Sequence, residues 1–363
     1  MIRHLYVHIP FCHRICPYCS FYKHEPGSTD TAAFLRSLTT EARAAVAQWP
    51  GRIQPETIYF GGGTPTLLST AHLEKWLPDF RSVFDFSALR EWTVEINPRT
   101  ISDRKAALLL EHGVTRASLG VQAWDEPTLS VLGRDHAPAE AEAAFHILRR
   151  AGFSVVNIDL MFSVPGQSLE TWRDTLRRTI ALQPDHVSAY NLTYEEDTAF
   201  FDKLTAGEYK RDEGEDTACF AATMSLLGDA GFSHYEISNY ARPGCESLHN
   251  QSYWAGADYL GLGPSAVSTV DRTRWKNVES TTLYIQAPDA SRRTEQLTDE
   301  QWSCERIALE LRTLRGVALI HLPDVARITD LTDAGMAEVT GDRLRLTEKG
   351  KFLADSIAGH LWA

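Results

Sequence analysis

A chain of 363 residues, 43% apolar and 23% charged, is long enough for one large domain and a smaller one built on cores that need no disulfide staples. Its 48 acidic against 36 basic side chains leave a net charge of -12, which argues against a general nucleic-acid binder that must neutralise phosphates. Three of its six cysteines share one short stretch, so a secreted disulfide framework does not fit and the expected location is cytoplasmic.

No signal peptide is expected, because the first residues carry Arg3 and His4 and lack an apolar segment. Nor is there an apolar run of bilayer length; peripheral membrane contact and oligomeric state stay open. A β-branched and aromatic run at residues 5–9 predicts the first strand, and Cys12, Cys16 and Cys19 follow it. Three thiolates within eight residues suit one sulfur-ligated metal centre. They suit zinc poorly, since no second Cys or His pair at finger spacing follows. A 4Fe-4S cluster is normally held by four thiolates; with three, one iron is left open to an exogenous ligand.

Further along, Phe34, Leu38, Ala42, Ala45, Val46 and Trp49 mark one face of a helix. Strands are predicted at residues 57–60, 92–96, 116–121, 155–162 and 186–192, separated by helical patterns near 70–84, 103–112, 138–151 and 169–182. Turn chemistry at His112-Gly113 and Ala151-Gly152 ends two of those helices. Six strands alternating with helices imply an α/β fold, an open partial (β/α)6 TIM-like barrel with its active face at the carboxyl ends of the strands. Polar residues cluster at those ends. Gly61-Gly62-Gly63-Thr64-Pro65 follows the second strand, Glu95-Ile96-Asn97-Pro98 closes the third, Gln122 ends the fourth, and Asp159 lies in the fifth before Pro165-Gly166. A glycine triplet lets a ligand approach the backbone closely, and it departs from the dinucleotide fingerprint.

Past the sixth strand, Leu248-His249-Asn250-Gln251-Ser252-Tyr253-Trp254 joins a histidine, a common haem ligand, to flat aromatic surface. By itself such a stretch equally makes a packed loop. Tyr259 to Ala266 is Gly-rich and reads either as backbone open to a ligand or as a tight packing turn. Cys219, Cys245 and Cys304 are expected as inert thiols. The expected division is a barrel domain at 1–240, a segment carrying the His249 motif and a linker at 241–290, and a mainly helical domain of winged-helix outline at 291–363, with Pro288-Asp289-Ala290-Ser291 as the linker.

The cysteine spacing with Tyr18 inside it, followed by Gly61-Gly62-Gly63-Thr64-Pro65, resembles the radical S-adenosylmethionine superfamily. Within it the chain resembles the coproporphyrinogen dehydrogenase-like branch, through residues 6–12, 59–65, 95–98, 118–122, 132–134 and 159–167. The resemblance implies that Cys12, Cys16 and Cys19 hold a 4Fe-4S cluster whose open iron takes S-adenosylmethionine. It further implies that Gly62, Gly63 and Thr64 contact the methionine moiety and that Tyr6, Tyr18, Glu95, Gln122, Arg134 and Asp159 complete the pocket. The porphyrinogen-oxidising enzymes carry a further cysteine two residues after the third ligand, where this chain has Phe21, and a longer N-terminal extension. The stretch at His249 instead matches the His-Asn-x-x-Tyr-Trp signature of the HemW-type haem chaperones, which implies haem binding at His249 and delivery to a haem-requiring acceptor protein. A radical enzyme acting on a porphyrinogen and a radical methyltransferase are the alternatives. Whether the chain is an enzyme stays open on this reading.

Overall fold

The computed structural model describes residues 1–288, 292–322 and 324–362. Its first half repeats one unit. β1 (Ile2–Ile9), α1 (Thr31–Gln48), β2 (Ile53–Gly62), α2 (Thr70–Arg81), β3 (Glu91–Ile96), α3 (Asp103–Glu111), β4 (Arg116–Gln122), α4 (Glu126–Val131), α5 (Pro138–Ala151), β5 (Val155–Phe162), α6 (Leu169–Ala181) and β6 (His186–Asn191) follow in order. The helix starts share one chemistry: side chains of Asp30, Ser69, Ser102, Asp125 and Ser168 each accept a backbone N–H of the first turn. Gly152, at φ 96°, stops α5 in the left-handed conformation that glycine enters most readily.

β1 to β6 pair side by side and in parallel. Alternate residues of each strand face the helices, and these are the apolar ones: Leu5, Val7 and Ile9 on β1, Ile58 and Phe60 on β2, Trp92 and Val94 on β3, Val156, Ile158 and Leu160 on β5. Against α2, the rings of Phe60, Trp76, Phe80 and Trp92 pack at centroid distances of 5.1–6.3 Å.

The six parallel strands expected from sequence are present, and the sheet extends beyond them at both edges. α7 (Ala199–Thr205) and α8 (Glu213–Asp229) lead into a hairpin, β7 (Ser233–Glu236) and β8 (Asn239–Ala241), which adds antiparallel to β6. α9 (Leu248–Trp254) precedes β9 (Tyr259–Leu262), which pairs in parallel with β1. β10 (Val267–Val270), β11 (Thr273–Lys276), α10 (Thr281–Gln286) and β12 (Arg293–Gln296) complete that side. The result is one 12-stranded sheet, ordered β12-β11-β10-β9-β1-β2-β3-β4-β5-β6-β8-β7, whose parallel centre forms the partial barrel.

The Gly-rich stretch from Tyr259 is therefore strand β9 continued by a tight turn. A Cβ on Gly261 would run into the carbonyl of Val267 and one on Gly263 into that of His8, so the first glycine lets β10 approach β9 and the second lets the turn after β9 approach β1. Likewise Gly61 and Gly62 extend β2 before the loop begins.

A second core forms from Ile307, Leu311, Val317, Leu331, Leu344, Ile357 and Leu361. It joins α11 (Asp299–Glu310), β13 (Val317–Ala318), α12 (Val325–Asp333), β14 (Ala337–Thr340), β15 (Arg343–Leu346), α13 (Glu348–Lys351) and α14 (Ala354–Trp362), with a three-stranded sheet ordered β13-β15-β14. Leu314 N donates to the Tyr235 carbonyl (3.0 Å) and ties this core to β7. Of the expected linker, only Pro288 lies among the described residues. No helix among them is long and apolar enough to cross a membrane.

Two glycines separate backbone strain from close packing. Gly166 (φ 84°) has open space around it, whereas Gly263 (φ 101°) is pressed against His8. Gly166→Ala is expected to cost about 1–2 kcal/mol from the left-handed conformation alone. Gly263→Ala is expected to cost about 3 kcal/mol or more, measured from urea unfolding; equal losses would refute the close-packing account.

Candidate functional site

The cysteine loop leaves the carboxyl end of β1. Its base is closed by Cys12 N donating to the His24 carbonyl (3.0 Å) and His24 N donating to the Pro10 carbonyl (2.9 Å). Cys19 N donates to the Cys16 carbonyl, and Lys23 Nζ donates to the Cys19 carbonyl. Burial, then the neighbouring Cys19 and Cys16, push the Cys12 thiol up to about 12, and burial also raises Cys19. Such thiols become good ligands when a positive centre takes the place of their protons. Among the described residues no three His, Cys, Asp or Glu side chains converge on a single ion. A four-iron cluster asks for something else, one thiolate on each of several irons.

Beside this loop runs the glycine segment. Gly63 N donates to the Ile9 carbonyl (2.9 Å) and Thr64 N to the Phe11 carbonyl (2.7 Å), so the ladder of β1 and β2 continues into both loops. A Cβ on Gly63 would stand 2.6 Å from the Phe11 oxygen; only glycine allows this approach. Glu95 holds the segment from the other side, accepting Tyr59 Oη–H (2.9 Å) and Gly62 N–H (3.1 Å). Burial and the charge of Asp159 raise the Glu95 carboxyl to about 7. Asp159 accepts from Ser118 Oγ (2.9 Å) and Asn157 Nδ2 (2.7 Å), and burial raises it as well.

Arg134, whose position the sequence leaves least defined, comes from the loop after α4 to the cysteine loop. Its Nη1 lies 3.7 Å from Cys16 Sγ and its Nη2 donates to the Gly120 carbonyl (2.8 Å). Burial opposes its charge, but Tyr18 and Cys16 raise its pKa above the ordinary value. Gln122, at the end of β4, has φ 70°. Tyr18 packs against Phe200 at 6.0 Å, and Tyr6 Oη hydrogen-bonds His8 Nδ1 (2.9 Å) inside the barrel. His13 donates to Asp135 (2.7 Å).

The His249 stretch is helix α9, whose ring-bearing face lies against β2 at the amino-terminal half of the sheet. His249 is 1% exposed. Its ring packs on Tyr59 (5.2 Å) and Tyr253 (4.9 Å), its Nδ1 shares a hydrogen bond with Thr57 Oγ1 (2.8 Å), and its Nε2 has no hydrogen-bond partner. Burial lowers its pKa to about 3, so the ring is neutral. Thr57 also meets His4 Nδ1 (2.9 Å), so one hydroxyl serves two imidazoles.

Sequence reasoning misses Glu91. At 6% exposure it accepts Leu248 N–H (3.0 Å), His249 N–H (2.9 Å) and Ser247 Oγ–H (3.3 Å), holding the amino end of α9. A signal for it exists: Glu91, Thr93 and Glu95 alternate with Trp92, Val94 and Ile96, which puts the two acids on one face. From Asp159 the polar face continues through Asn157 to His186 Nδ1 (2.6 Å), and from His186 Nε2 to Tyr235 Oη (2.8 Å), which accepts Ser247 N–H (3.2 Å). Cys245 contributes only its carbonyl to this region, accepting from Arg116 (2.8 Å).

The family model described as the Radical SAM superfamily matches residues 6–179. The chain is 33% identical to the heme chaperone HemW of Bacillus subtilis, over 98% of this chain and 97% of that one. It is 32% identical to HemW of Lactococcus lactis subsp. lactis over 97% of each, and 38% identical to HemW of Escherichia coli over 72% of this chain and 68% of that one. Among solved structures, coproporphyrinogen III oxidase (HemN) from Escherichia coli superposes with a TM-score of 0.85 at 24% identity, covering 99% of this chain and 90% of that one. At that identity the likeness establishes the fold.

Thr57→Val keeps the shape of the site but leaves buried imidazole nitrogens of His4 and His249 without their partner. The expected loss is about 1–3 kcal/mol in urea unfolding, and a change under about 0.5 kcal/mol would refute the shared hydrogen bond.

Proposed function

Because the chain belongs to the heme chaperone HemW family of the radical SAM superfamily, we propose that it is a cytoplasmic haem chaperone that carries a 4Fe-4S cluster and S-adenosylmethionine and delivers haem to an acceptor protein. Besides that kinship, the observation that carries the cofactor part is the meeting of a three-cysteine loop with two half-buried carboxyls, Glu95 and Asp159, both raised above their ordinary range. They lie on strands β3 and β5 with β4 between them; two acids facing one site favour a cation there, and S-adenosylmethionine brings a sulfonium and an ammonium.

In this reading Cys12, Cys16 and Cys19 hold the cluster. Gly62, Gly63 and Thr64 offer backbone to the methionine moiety, with Tyr6, Tyr18, Glu95, Gln122, Arg134 and Asp159 around it. When bound, the cluster and S-adenosylmethionine supply one-electron reductive cleavage of the sulfonium. Arg134, beside Cys16, sets positive charge against the thiolate and suits a ligand carboxylate. For haem, His249 is the proposed ligand: in the tautomer whose Nδ1–H donates to Thr57, Nε2 keeps an unused lone pair, the form that binds iron. Its burial requires α9 to move away from β2 before a macrocycle can reach it.

The deciding experiment is an anaerobic haem titration of the cluster-reconstituted protein followed optically, with coproporphyrinogen III turnover assayed in parallel. Saturation near one haem per chain without turnover is the expected result. Turnover with release of 5'-deoxyadenosine and no haem binding would make the protein a porphyrinogen-oxidising enzyme; S-adenosylhomocysteine formation would indicate methyl transfer. His249→Ala is expected to weaken haem binding and spare the cluster, whereas Cys16→Ala abolishes the cluster.

Glu95 gives a pH test. With its carboxyl near 7, a cationic ligand binds the ionised form, so affinity for S-adenosylmethionine is expected to rise with pH up to about 7 and level off above it. The slope below 7 is at most about tenfold per pH unit, corresponding to one proton released on binding. Glu95→Gln should bind more weakly and without this slope; calorimetry in buffers of different ionisation enthalpy counts the proton directly.

A further inference from the structure

The loop after α4 does more than present Arg134. Three consecutive side chains, Arg134, Asp135 and His136, reach three different partners. Arg134 donates to the Gly120 carbonyl (2.8 Å) and lies beside Cys16. Asp135 accepts from His13 of the cysteine loop (2.7 Å) and from Asn97 Nδ2 after β3 (3.4 Å). His136, 4% exposed, donates from Nε2 to the Val121 carbonyl (3.1 Å). One residue earlier, Gly133 packs so closely on Pro17 of the cysteine loop that a Cβ would stand 2.7 Å from its ring.

The carbonyl that His136 grips is also the acceptor of a tight turn. Ala123 N donates back to the Val121 oxygen (2.9 Å), across a Gln122 held at φ 70°, and the β4–β5 register shifts at this point. That is a γ-turn with its central residue on the positive-φ side, a rare and strained arrangement for a side chain longer than glycine. Strain of this kind persists only where neighbours over-determine it. Here Arg134 and His136 hold the two carbonyls that precede Gln122, those of Gly120 and Val121, and Asp135 fastens the same loop to the cysteine loop through His13.

We propose that His136 is a positioning residue for S-adenosylmethionine binding: it locks the turn at Gln122 while Asp135 clips the cysteine loop to the end of β4. The inference rests on the reading of this pocket as the S-adenosylmethionine site. His136 touches no cofactor on this account; it acts through Gln122.

The test uses the full-length, cluster-loaded protein and S-adenosylmethionine itself. His136→Phe keeps a buried ring and removes the donor; the expected result is an affinity weaker by about 10- to 100-fold, the usual scale for a residue that orients a ligand-binding neighbour. Iron content stays at the wild-type level, and the change that S-adenosylmethionine causes in the electron paramagnetic resonance spectrum of the reduced cluster is reduced. His136→Gln, whose amide reaches the same carbonyl, recovers most of the affinity and also serves if the Phe variant does not fold. Gln122→Gly removes both the strain and the side chain, so His136→Phe placed on that background should cost no more than about twofold further. Wild-type affinity in His136→Phe, or its full loss repeated on the Gln122→Gly background, overturns the proposal. If the wild-type protein fails to bind S-adenosylmethionine, the pocket reading itself fails and the positioning role falls with it.

Discussion

Two backbone hydrogen bonds beyond the ends of β1 and β2, Gly63 N to Ile9 and Thr64 N to Phe11, fasten the cysteine loop to the glycine segment. Both depend on the register of a parallel pair that is itself held by burial, with Leu5, Val7, Ile9, Ile58 and Phe60 all facing the helices. A slip of one residue would turn those side chains to the other face. The relative placement of thiols and glycines is therefore set by the hydrophobic core. The polar contacts of the site only refine it.

The face turned away from the helices has the opposite character. His4, Tyr6, His8, Thr57, Tyr59, Glu91, Thr93, Glu95, Arg116, Ser118, Asn157, Asp159, His186 and Ser188 line adjacent strands there, and most are buried. Buried polar groups persist when they find partners, and here they find them in one another. Asp159, Ser118, Asn157, His186 and Tyr235 satisfy each other in sequence, ending at Ser247, which caps α9. Thr93 Oγ1 on this face and His249 Nε2 on the helix packed against it are exceptions. At the other end of the strands, Glu95 and Asp159 carry raised pKa values. The network thus spans from the cysteine-loop side of the barrel to the helix that carries His249.

Tyr235 is where three parts of the chain meet. Its hydroxyl bonds His186 and Ser247, and its backbone carbonyl accepts Leu314 N–H from the second core. The C-terminal module, the barrel interior and the start of α9 are fixed relative to each other through a four-residue strand. Glu91 supplies the complementary hold on α9 from β3. Removing α9 from β2 would break those bonds to Glu91 and the Thr57 contact together.

Much of this architecture is legible in the order of the amino acids. Apolar runs mark all six parallel strands, Ser or Asp caps open five of the helices between them while α5 starts at Ala137, and the strand ends carry the polar residues of the site; the short helix α4 is not expected from sequence. The edge strands are harder to see. β9 to β12 are four residues each, and the stretch with Gly261 and Gly263 reads either as backbone open to a ligand or as a turn, because a glycine needed for close approach looks the same in sequence as one needed for φ. Helix α8 leaves no periodic signal because its apolar residues are spread around it instead of forming one stripe.

What the sequence determined alone is the local chemistry: three thiols on one loop, a glycine segment at a strand end, and a histidine beside Tyr253 and Trp254. Period and spacing act within a few residues and can be read there. Only the tertiary structure decided that Arg134 lies at Cys16, that Asp135 and His136 clip the cysteine loop to a strained Gln122, and that His249 is buried against Thr57. Those contacts join residues 118, 122, 15 and 192 positions apart. Such pairings are set by how the strands close around one core, and no local pattern records them.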